Sequence, residues 1–345
     1  MSRSAPLRLH LDGTALVANW RWLATRAGGA ACGAAIKADG YGLGAREVVA
    51  RLAAAGCRDF FCATWDEAVA LGSLPEGARL SVLHGVRAED MDRALAAAAR
   101  PVLNSVEQVA RWREAGGGAC DVMVDTGMNR LGLPIEDAMA GVLTGLKVDT
   151  LMSHLACADE PDHALNTRQL SAFRAVKDKV PAQRYSLANS AGILLGRNYA
   201  LDLVRPGIAL YGGVPVPAAT GIRPVVAIEA QVLQVRAVVA GERVGYGATW
   251  TAAQNSRIAI INLGYADGYM RPFAPGAFAM VGDRQLPLVG RISMDLIAVD
   301  VTGAQVSEGD WLTVDFNLAV LSARSGLSQY ELLTGLNQRF DRRWH

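Results

Sequence analysis

The chain has 345 residues, a formal net charge of +1 and no block of like charges. Hydrophobic residues make up 51% and charged residues 19%, which allows a sizeable core and argues against an intrinsically disordered protein. The balanced charge gives no reason to expect a nucleic-acid partner or an anionic membrane surface. No apolar run reaches the length of a membrane span.

The cysteines and the N-terminus predict a cellular compartment. The five cysteines, at positions 32, 57, 62, 120 and 157, include no CxxC pair. An odd number without paired spacing favours buried free thiols over disulfides or a zinc site. Residues 1–6 lack the continuous apolar core of a signal peptide. These features predict a cytoplasmic protein with no metal centre.

The first 205 residues or so alternate between two kinds of pattern. An alternating segment at 7–11 predicts a strand, and Asp12 predicts the N-cap of a helix over 14–26. Short apolar runs that predict buried strands follow at about 31–37, 58–63, 79–84, 100–103, 120–125, 148–154, 184–188 and 202–205. Helical periodicity lies between them, at 45–55, 66–71, 88–98, 106–115, 136–144 and 164–179.

This alternation predicts an α/β fold whose N-terminal part is a (β/α)8, TIM-like barrel. The rival is a doubly wound open sheet, which the absence of GxGxxG after the first strand disfavours. Near residue 226 the helical periodicity stops. Strands are expected at 227–237, 258–262, 278–281, 296–301 and 311–315, and a short helix at 329–335. We therefore predict a barrel over residues 1–226 and a mainly antiparallel β domain over residues 227–345.

The stretch from Ala34 to Gly44 carries the most informative chemistry. It places Lys37 at the end of a small apolar strand, before a glycine-rich segment. Partial desolvation lowers the pKa of a lysine and exposes a neutral amine, which can form a Schiff base with a carbonyl such as that of pyridoxal phosphate. The alternative is a surface lysine in a glycine-rich loop.

Polar residues follow most of the other predicted barrel strands. They are Asn104, Asp125, Arg130, His154, Asn189, Ser190 and Arg205. Each has a structural alternative, such as a core histidine, an ion-pair arginine, a turn-capping aspartate or an N-cap serine. Because barrel enzymes carry their sites at the carboxyl ends of strands, the shared register predicts one site. The loops after the seventh and eighth strands suit a phosphate.

Eight segments, spread in order over nearly the whole chain, resemble alanine racemases, which are pyridoxal-phosphate enzymes with a barrel and a β domain. They are IKADGYGLG (36–44), VDTGMNRLG (124–132), SHLACADE (153–160), LANSAG (187–192), VRPGIALYGG (204–213), VGYGATWTA (244–252), LGYADGYMR (263–271) and GRISMDLIAVD (290–300). The resemblance implies interconversion of L-alanine and D-alanine, supplying D-alanine for peptidoglycan.

The resemblance also implies the residue roles. Lys37 would hold pyridoxal 5'-phosphate covalently and act as one base, with Tyr246 from a partner subunit as the opposite base. Racemisation needs both, because a proton leaves one face of Cα and another returns to the opposite face. The implied cofactor-binding residues are Lys37, Tyr41, His154, Asn189, Ser190, Arg205, Gly207 and Ile208. The implied substrate-binding residues are Arg130, Met294 and Tyr265, with Arg291 at the entrance. A homodimer with shared active sites follows.

Two positions depart from the family pattern. Met123 stands where many members have a carbamylated lysine that braces the arginine corresponding to Arg130. Gln338 stands where many have a tyrosine at the phosphate and the entrance.

Three alternatives stay open. A racemase of serine, lysine or arginine differs only in pocket shape, and one methylene is worth about 1–3 kcal/mol. A decarboxylase of this architecture needs a glutamate where Arg205 stands. A non-catalytic pyridoxal phosphate carrier resembles the barrel alone, without residues 227–345.

Overall fold

The structure is a computed structural model that describes residues 5–345; Met1–Ser4, part of the segment assessed for a signal peptide, lie outside the described residues. The chain forms two compact units. One contains residues 16–223, and the other contains residues 224–345 with the segment that ends at Ala15. No helix within residues 5–345 is both long and apolar enough to cross a membrane.

The N-terminal strand β1 (Leu7–Leu11) lies in the sheet of the second unit, although the predicted division places it in the first domain. It pairs antiparallel with residues 226–230 and parallel with residues 341–344. Its leucines are buried and the residues between them are half-buried. Such alternation suits a sheet with one covered face, whereas barrel strands enclosed by helices are apolar on both faces. The predicted boundary at 226 and 227 otherwise stays a prediction.

Seven short strands of the first unit form one parallel sheet in sequential order, and two more form a second pairing. In chain order the strands are β2 (Ala31–Cys32), β3 (Ala34–Ala35), β4 (Asp59–Cys62), β5 (Arg79–Val82), β6 (Arg100–Leu103), β7 (Cys120–Met123), β8 (Val148–Met152), β9 (Arg184–Ser186) and β10 (Leu203–Val204). Each lies within a predicted apolar run. The predicted TIM-like barrel is therefore confirmed.

Strand β10 closes the barrel between β9 and β2. On one side it pairs parallel with β2. On the other side, the backbone N–H of Arg205, just after β10, donates to the carbonyl of Ala188, just after β9, at 2.9 Å. Gly33 alone separates β2 from β3. A Cβ at Gly33 would approach the Asp59 carbonyl to 2.8 Å, so the backbones meet too closely there for a larger residue.

The helices of this unit are α1 (Gly13–Arg26), α2 (Lys37–Tyr41), α3 (Ala45–Ala54), α4 (Trp65–Leu71), α5 (Met91–Ala96), α6 (Val106–Glu114), α7 (Ile135–Met139), α8 (Ala164–Lys177) and α9 (Arg197–Ala200), with 3₁₀ turns at Ala88–Asp90, Gly192–Leu195 and Ile208–Tyr211. Helix α1 precedes the barrel strands, and the other helices of this unit lie between them. Asp12 caps the first as predicted, because its Oδ1 accepts the Ala15 N–H at 2.8 Å. Side chains of Phe61, Val102, Met123, Met152 and Leu203 form an apolar cluster inside the barrel.

The second unit is a mainly antiparallel sheet, as predicted. Its further strands are β11 (Val226–Val238), β12 (Arg243–Val244), β13 (Trp250–Thr251), β14 (Ser256–Ile261), β15 (Phe278–Val281), β16 (Arg284–Val289), β17 (Ile297–Asp300), β18 (Trp311–Val314) and β19 (Asp341–Trp344). The order β14-β17-β16-β15-β18-β11 closes on itself through β11 and β14, and β1 and β19 extend it. Its helices are α10 (Leu318–Ser325) and α11 (Gln329–Thr334), with 3₁₀ turns at Tyr246–Ala248, Tyr265–Asp267 and Arg271–Phe273.

Candidate active site

Lys37 stands where the first barrel strand ends, as the sequence predicts. Ile36 before it is fully buried, and Lys37 itself is half-buried. Burial lowers the pKa of the Lys37 amine, the positive charge of Arg130 lowers it further, and Glu67 opposes both. A lowered pKa increases the fraction of neutral amine, which is the nucleophilic form.

The backbone after Lys37 makes a left-handed turn. Ala38, Asp39 and Tyr41 have φ angles of 53°, 52° and 57°, which are unfavourable for residues that carry a Cβ. Asp39 Oδ1 accepts the Ala45 N–H at 2.8 Å and ties the turn to the start of α3. The turn aims Tyr41 back towards the barrel, where its ring stacks on Tyr211 with centroids 4.5 Å apart.

Tyr41, Ser190 and Gly207 meet at the ends of the seventh and eighth strands. Ser190 Oγ accepts the N–H groups of Gly207 at 2.9 Å and Ala209 at 3.3 Å. A Cβ at Gly207 would overlap the Tyr41 hydroxyl, so only glycine fits. No described residue accepts a hydrogen bond from the backbone N–H of Ser190 or Ile208. These donors and hydroxyls form a cradle suited to an anion.

Positive charge converges on His154, at the end of the sixth strand. Burial and the charges of Arg205, Arg130 and Lys37, in that order, lower the pKa of His154 to about 3. The imidazole is therefore neutral at physiological pH. The residues responsible come from the first, fifth and eighth strand ends, so the structure brings these four predicted site residues together.

Arg205 is held rigidly in this group. Its side chain is buried, donates to the Ser153 carbonyl at 2.5 Å and also contacts Ser186 Oγ. Burial lowers the pKa of Arg205 to about 10, and the guanidinium remains charged at neutral pH. A fixed buried cation can donate to an acceptor that does not itself carry a proton.

Arg130 is exposed and far less constrained. Asp125 orders its loop by accepting the N–H groups of Gly127 and Met128 at 2.8 Å and of Arg130 at 3.2 Å. Asp125 thus has the turn-capping role that was its structural alternative. The Arg130 guanidinium has no hydrogen-bond or ion-pair partner in residues 5–345, and Met123 is committed to the apolar barrel cluster. The guanidinium is consequently available to a ligand carboxylate.

The other predicted residues of the barrel have local structural partners. Asn189 Oδ1 accepts the Gly192 N–H at 2.9 Å and starts the following 3₁₀ turn. The Asn104 amide donates to the carbonyls of Leu83 and Val102 at 2.9 and 2.7 Å, while its Oδ1 is buried without a partner in the described chain.

The second unit carries the remaining predicted residues on its surface. Tyr246 is 69% exposed and Met294 is 52% exposed. Tyr246 and Arg291 line an open groove with a volume of about 850 Å³. The carbonyls of Ser293 and Met294 accept the N–H groups of Tyr265 and Ala266 at 3.1 and 3.0 Å, whereas no described residue accepts the Met294 N–H.

Sequence reasoning missed two polar residues that support the barrel site. Gln169 donates to the His154 carbonyl at 2.8 Å and accepts the Ala156 N–H at 2.9 Å, which orders the segment after the sixth strand. Glu67 Oε1 accepts a hydrogen bond at 2.8 Å from the N–H of Ala38, the residue that follows Lys37. Both lie in helical stretches where they look like ordinary polar helix residues. No group of three or more potential metal-binding side chains converges within residues 5–345, and all five cysteines are free thiols.

The comparisons with known proteins agree over both units. Residues 11–215 match the family described as "Alanine racemase, N-terminal domain", and residues 225–344 match "Alanine racemase, C-terminal domain". An alanine racemase from Acidiphilium cryptum is 43% identical over 97% of each chain. One from Rhodospirillum rubrum is 44% identical over 97% of this chain and 95% of its own.

A solved structure extends the likeness to three dimensions. The alanine racemase from Bartonella henselae, described with covalently bound pyridoxal phosphate, superposes with a TM-score of 0.90. It is 35% identical in sequence, and the match covers 99% of this chain and 100% of that one.

Proposed function

Because the chain belongs to the alanine racemase family, we propose that it interconverts L-alanine and D-alanine with pyridoxal 5'-phosphate bound covalently on Lys37. The observation that carries the proposal is the convergence of Lys37, Arg130 and Arg205 on a neutral His154. These three basic side chains give the site an excess of positive charge. The site is therefore complementary to an anionic cofactor and to a substrate carboxylate.

The residues present fit this cofactor. Free N–H groups at Ser190 and Ile208, together with the hydroxyls of Ser190 and Tyr41, suit a phosphate, and Gly207 leaves no side chain in the way. Lys37 supplies the amine for the aldehyde. In this assignment His154 lies against the ring, Arg205 donates to the ring nitrogen, and Asn189 supports the loop beside the phosphate. When bound, the cofactor withdraws electrons from the substrate Cα and makes its proton acidic.

The chain's own residues would then hold the substrate and move protons. Arg130 and the Met294 N–H bind the substrate carboxylate and fix the plane of Cα. Lys37 Nζ exchanges a proton with one face, and the Tyr246 phenol oxygen exchanges one with the other. Arg205, which stays charged, does not offer a proton to the ring nitrogen readily, and a weaker electron sink disfavours side reactions.

We assign cofactor binding to the domain of residues 1–226. Tyr246, Met294 and Tyr265 of each site come from residues 227–345 of a partner subunit, so the protein is a homodimer with two shared sites. The 69% exposure of Tyr246 supports this, because a phenol base needs surroundings that exclude water and orient it. Arg291 and Tyr265 belong to the entrance in this arrangement. With five free thiols, the protein suits a reducing cytoplasm.

The test is an exchange assay on purified protein with pyridoxal phosphate and L-alanine in D₂O. Proton NMR follows deuterium at Cα, and a chiral assay follows D-alanine. Appearance of deuterated D-alanine is expected. Visible cofactor binding with no exchange would overturn the assignment to alanine, and the same assay with serine, lysine and arginine would then identify another amino acid.

A further inference from the structure

Glu67 joins the ends of two neighbouring barrel strands. Its Oε1 accepts the Ala38 N–H at 2.8 Å, and its Oε2 accepts the Ala63 N–H at 2.7 Å. Ala38 directly follows Lys37, and Ala63 follows β4, the strand that pairs with β3. The two backbone donors therefore hold the carboxylate beside the residue that carries the amine.

The sequence around Glu67 has the form of a capping box, but its side chain has different partners. Thr64 is the N-cap of α4 and accepts the Glu67 N–H at 3.2 Å. In a capping box the glutamate returns a bond to the N-cap N–H. Here the carboxylate reaches Ala63 and, 29 positions away in sequence, Ala38. Its contacts thus extend beyond its own helix to the backbone that follows Lys37.

That backbone needs external support. Ala38 and Asp39, with φ angles of 53° and 52°, occupy a left-handed conformation that persists only where surrounding contacts over-determine it. The Asp39 side chain supports the turn from the α3 side. Glu67 supports it at the peptide that joins Lys37 to Ala38.

We propose that Glu67 is a positioning residue for Lys37, which fixes the turn after the lysine and keeps a negative charge beside its ammonium group. The inference rests on the proposed function, in which Lys37 holds the cofactor. The charges that act on Lys37 support it, because Glu67 raises the pKa of the amine whereas burial and Arg130 lower it. Removing the Glu67 charge favours the neutral amine, and removing its hydrogen bond loosens the turn.

The test variant is Glu67→Gln, which keeps the size of the side chain and removes its charge. The rate at which full-length, cofactor-free protein links to added pyridoxal phosphate is measured against pH by the absorbance of the lysine-linked cofactor. The midpoint of the rise in rate is expected about one pH unit lower than in the wild type. Hydrogen exchange of a peptide spanning residues 34–44 is expected to be faster.

Asp66→Asn is the matched control, since it removes the adjacent negative charge, which pairs with Arg93 on the surface. It is expected to change neither the midpoint nor the exchange. Glu67→Asp keeps the negative charge on a shorter side chain, and it serves as a second variant should Glu67→Gln fail to fold. Hydrogen exchange over residues 34–44 as slow in Glu67→Asp as in the wild type would contradict the positioning role. A midpoint in Glu67→Gln equal to that of Asp66→Asn would contradict the electrostatic role.

Failure of the proposed function gives a different result. The assignment of Lys37 as the residue that holds the cofactor is wrong in either of two cases. In the first, the wild type shows no absorbance of lysine-linked cofactor; in the second, Lys37→Ala shows this absorbance to the same extent as the wild type. The exchange measurement does not depend on the cofactor and still decides whether Glu67 holds the turn.

Discussion

The carboxylate of Asp59 accepts two parallel hydrogen bonds from the guanidinium of Arg184, at 3.0 and 2.9 Å. Both residues stand at the amino ends of barrel strands, opposite the candidate site. Arg184 also pairs with Asp149 at 2.8 Å, and Arg100 links Asp149 to Asp121. This basal network spans the end of the barrel that carries no proposed chemistry, where such residues serve stability.

Arg184→Met should destabilise the protein by about 1–3 kcal/mol, because it removes hydrogen bonds between charged groups at Asp59 and Asp149. Each carboxylate then keeps one arginine, Arg79 for Asp59 and Arg100 for Asp149. Urea unfolding monitored by circular dichroism measures the change. Arg93→Met breaks the exposed pair with Asp66 and should cost less than about 1 kcal/mol. Equal costs for the two variants would show that the basal network is not a stabilising element.

The low pKa of His154 predicts a specific pH dependence of stability. The imidazole has a pKa near 6.5 in the unfolded chain and about 3 in the folded one, so the unfolded state binds the extra proton between these values. Stability should therefore fall as pH drops from about 6.5 towards 3, by about 1 kcal/mol per pH unit from this group. His154→Leu removes that component, so its pH–stability curve should be flatter than that of the wild type. Parallel curves would mean that His154 titrates normally.

Tyr246→Phe should slow proton removal from L-alanine by about 10²–10⁴-fold, the usual contribution of a general base. Exchange of the D-alanine Cα proton should suffer less, since Lys37 serves that face. Solvent deuterium exchange measured separately from each enantiomer gives the comparison. Losses of the same size in both directions would rule out the assignment of one base to each face.

A mixing experiment tests the shared sites. Lys37→Ala and Tyr246→Phe homodimers should each be nearly inactive. After subunit exchange, each mixed dimer has one site with both substitutions and one intact site, so activity should return to about a quarter of wild type. Native mass spectrometry establishes that mixed dimers have formed. Inactive mixed dimers would place both bases in one subunit.

The strands and most helices of the barrel unit could be predicted from sequence because their cause is local. Short apolar runs bounded by turn residues became β3 to β10, and Asp12 caps α1 as expected. In the second unit, strands β12, β13, β16 and β19 and helix α10 were missed. The β16 run, residues 284–289, contains Pro287 and exposed polar residues, so it lacks the pattern of a buried strand.

The candidate site was predictable to the extent that its residues follow strands. Lys37, His154, Ser190 and Arg205 share one mouth because parallel strands bring their carboxyl ends together. The basal network was not predicted, although Asp59, Arg100 and Arg184 each begin a barrel strand. Which of these charges pair depends on strand order and barrel closure, and neither is a local property.

The sequence by itself determined where elements form, which residue types stand at the strand ends and which family the chain resembles, since each depends on neighbouring residues or on ordered motifs. Tertiary structure alone decided that β1 joins the second sheet, that Asp59 meets a partner 125 positions away and that Glu67 bonds the peptide after Lys37. The physical reason is that apolar periodicity specifies a buried face but not what covers it. Partners for buried polar groups are selected only when the closed sheet brings distant segments within hydrogen-bonding distance.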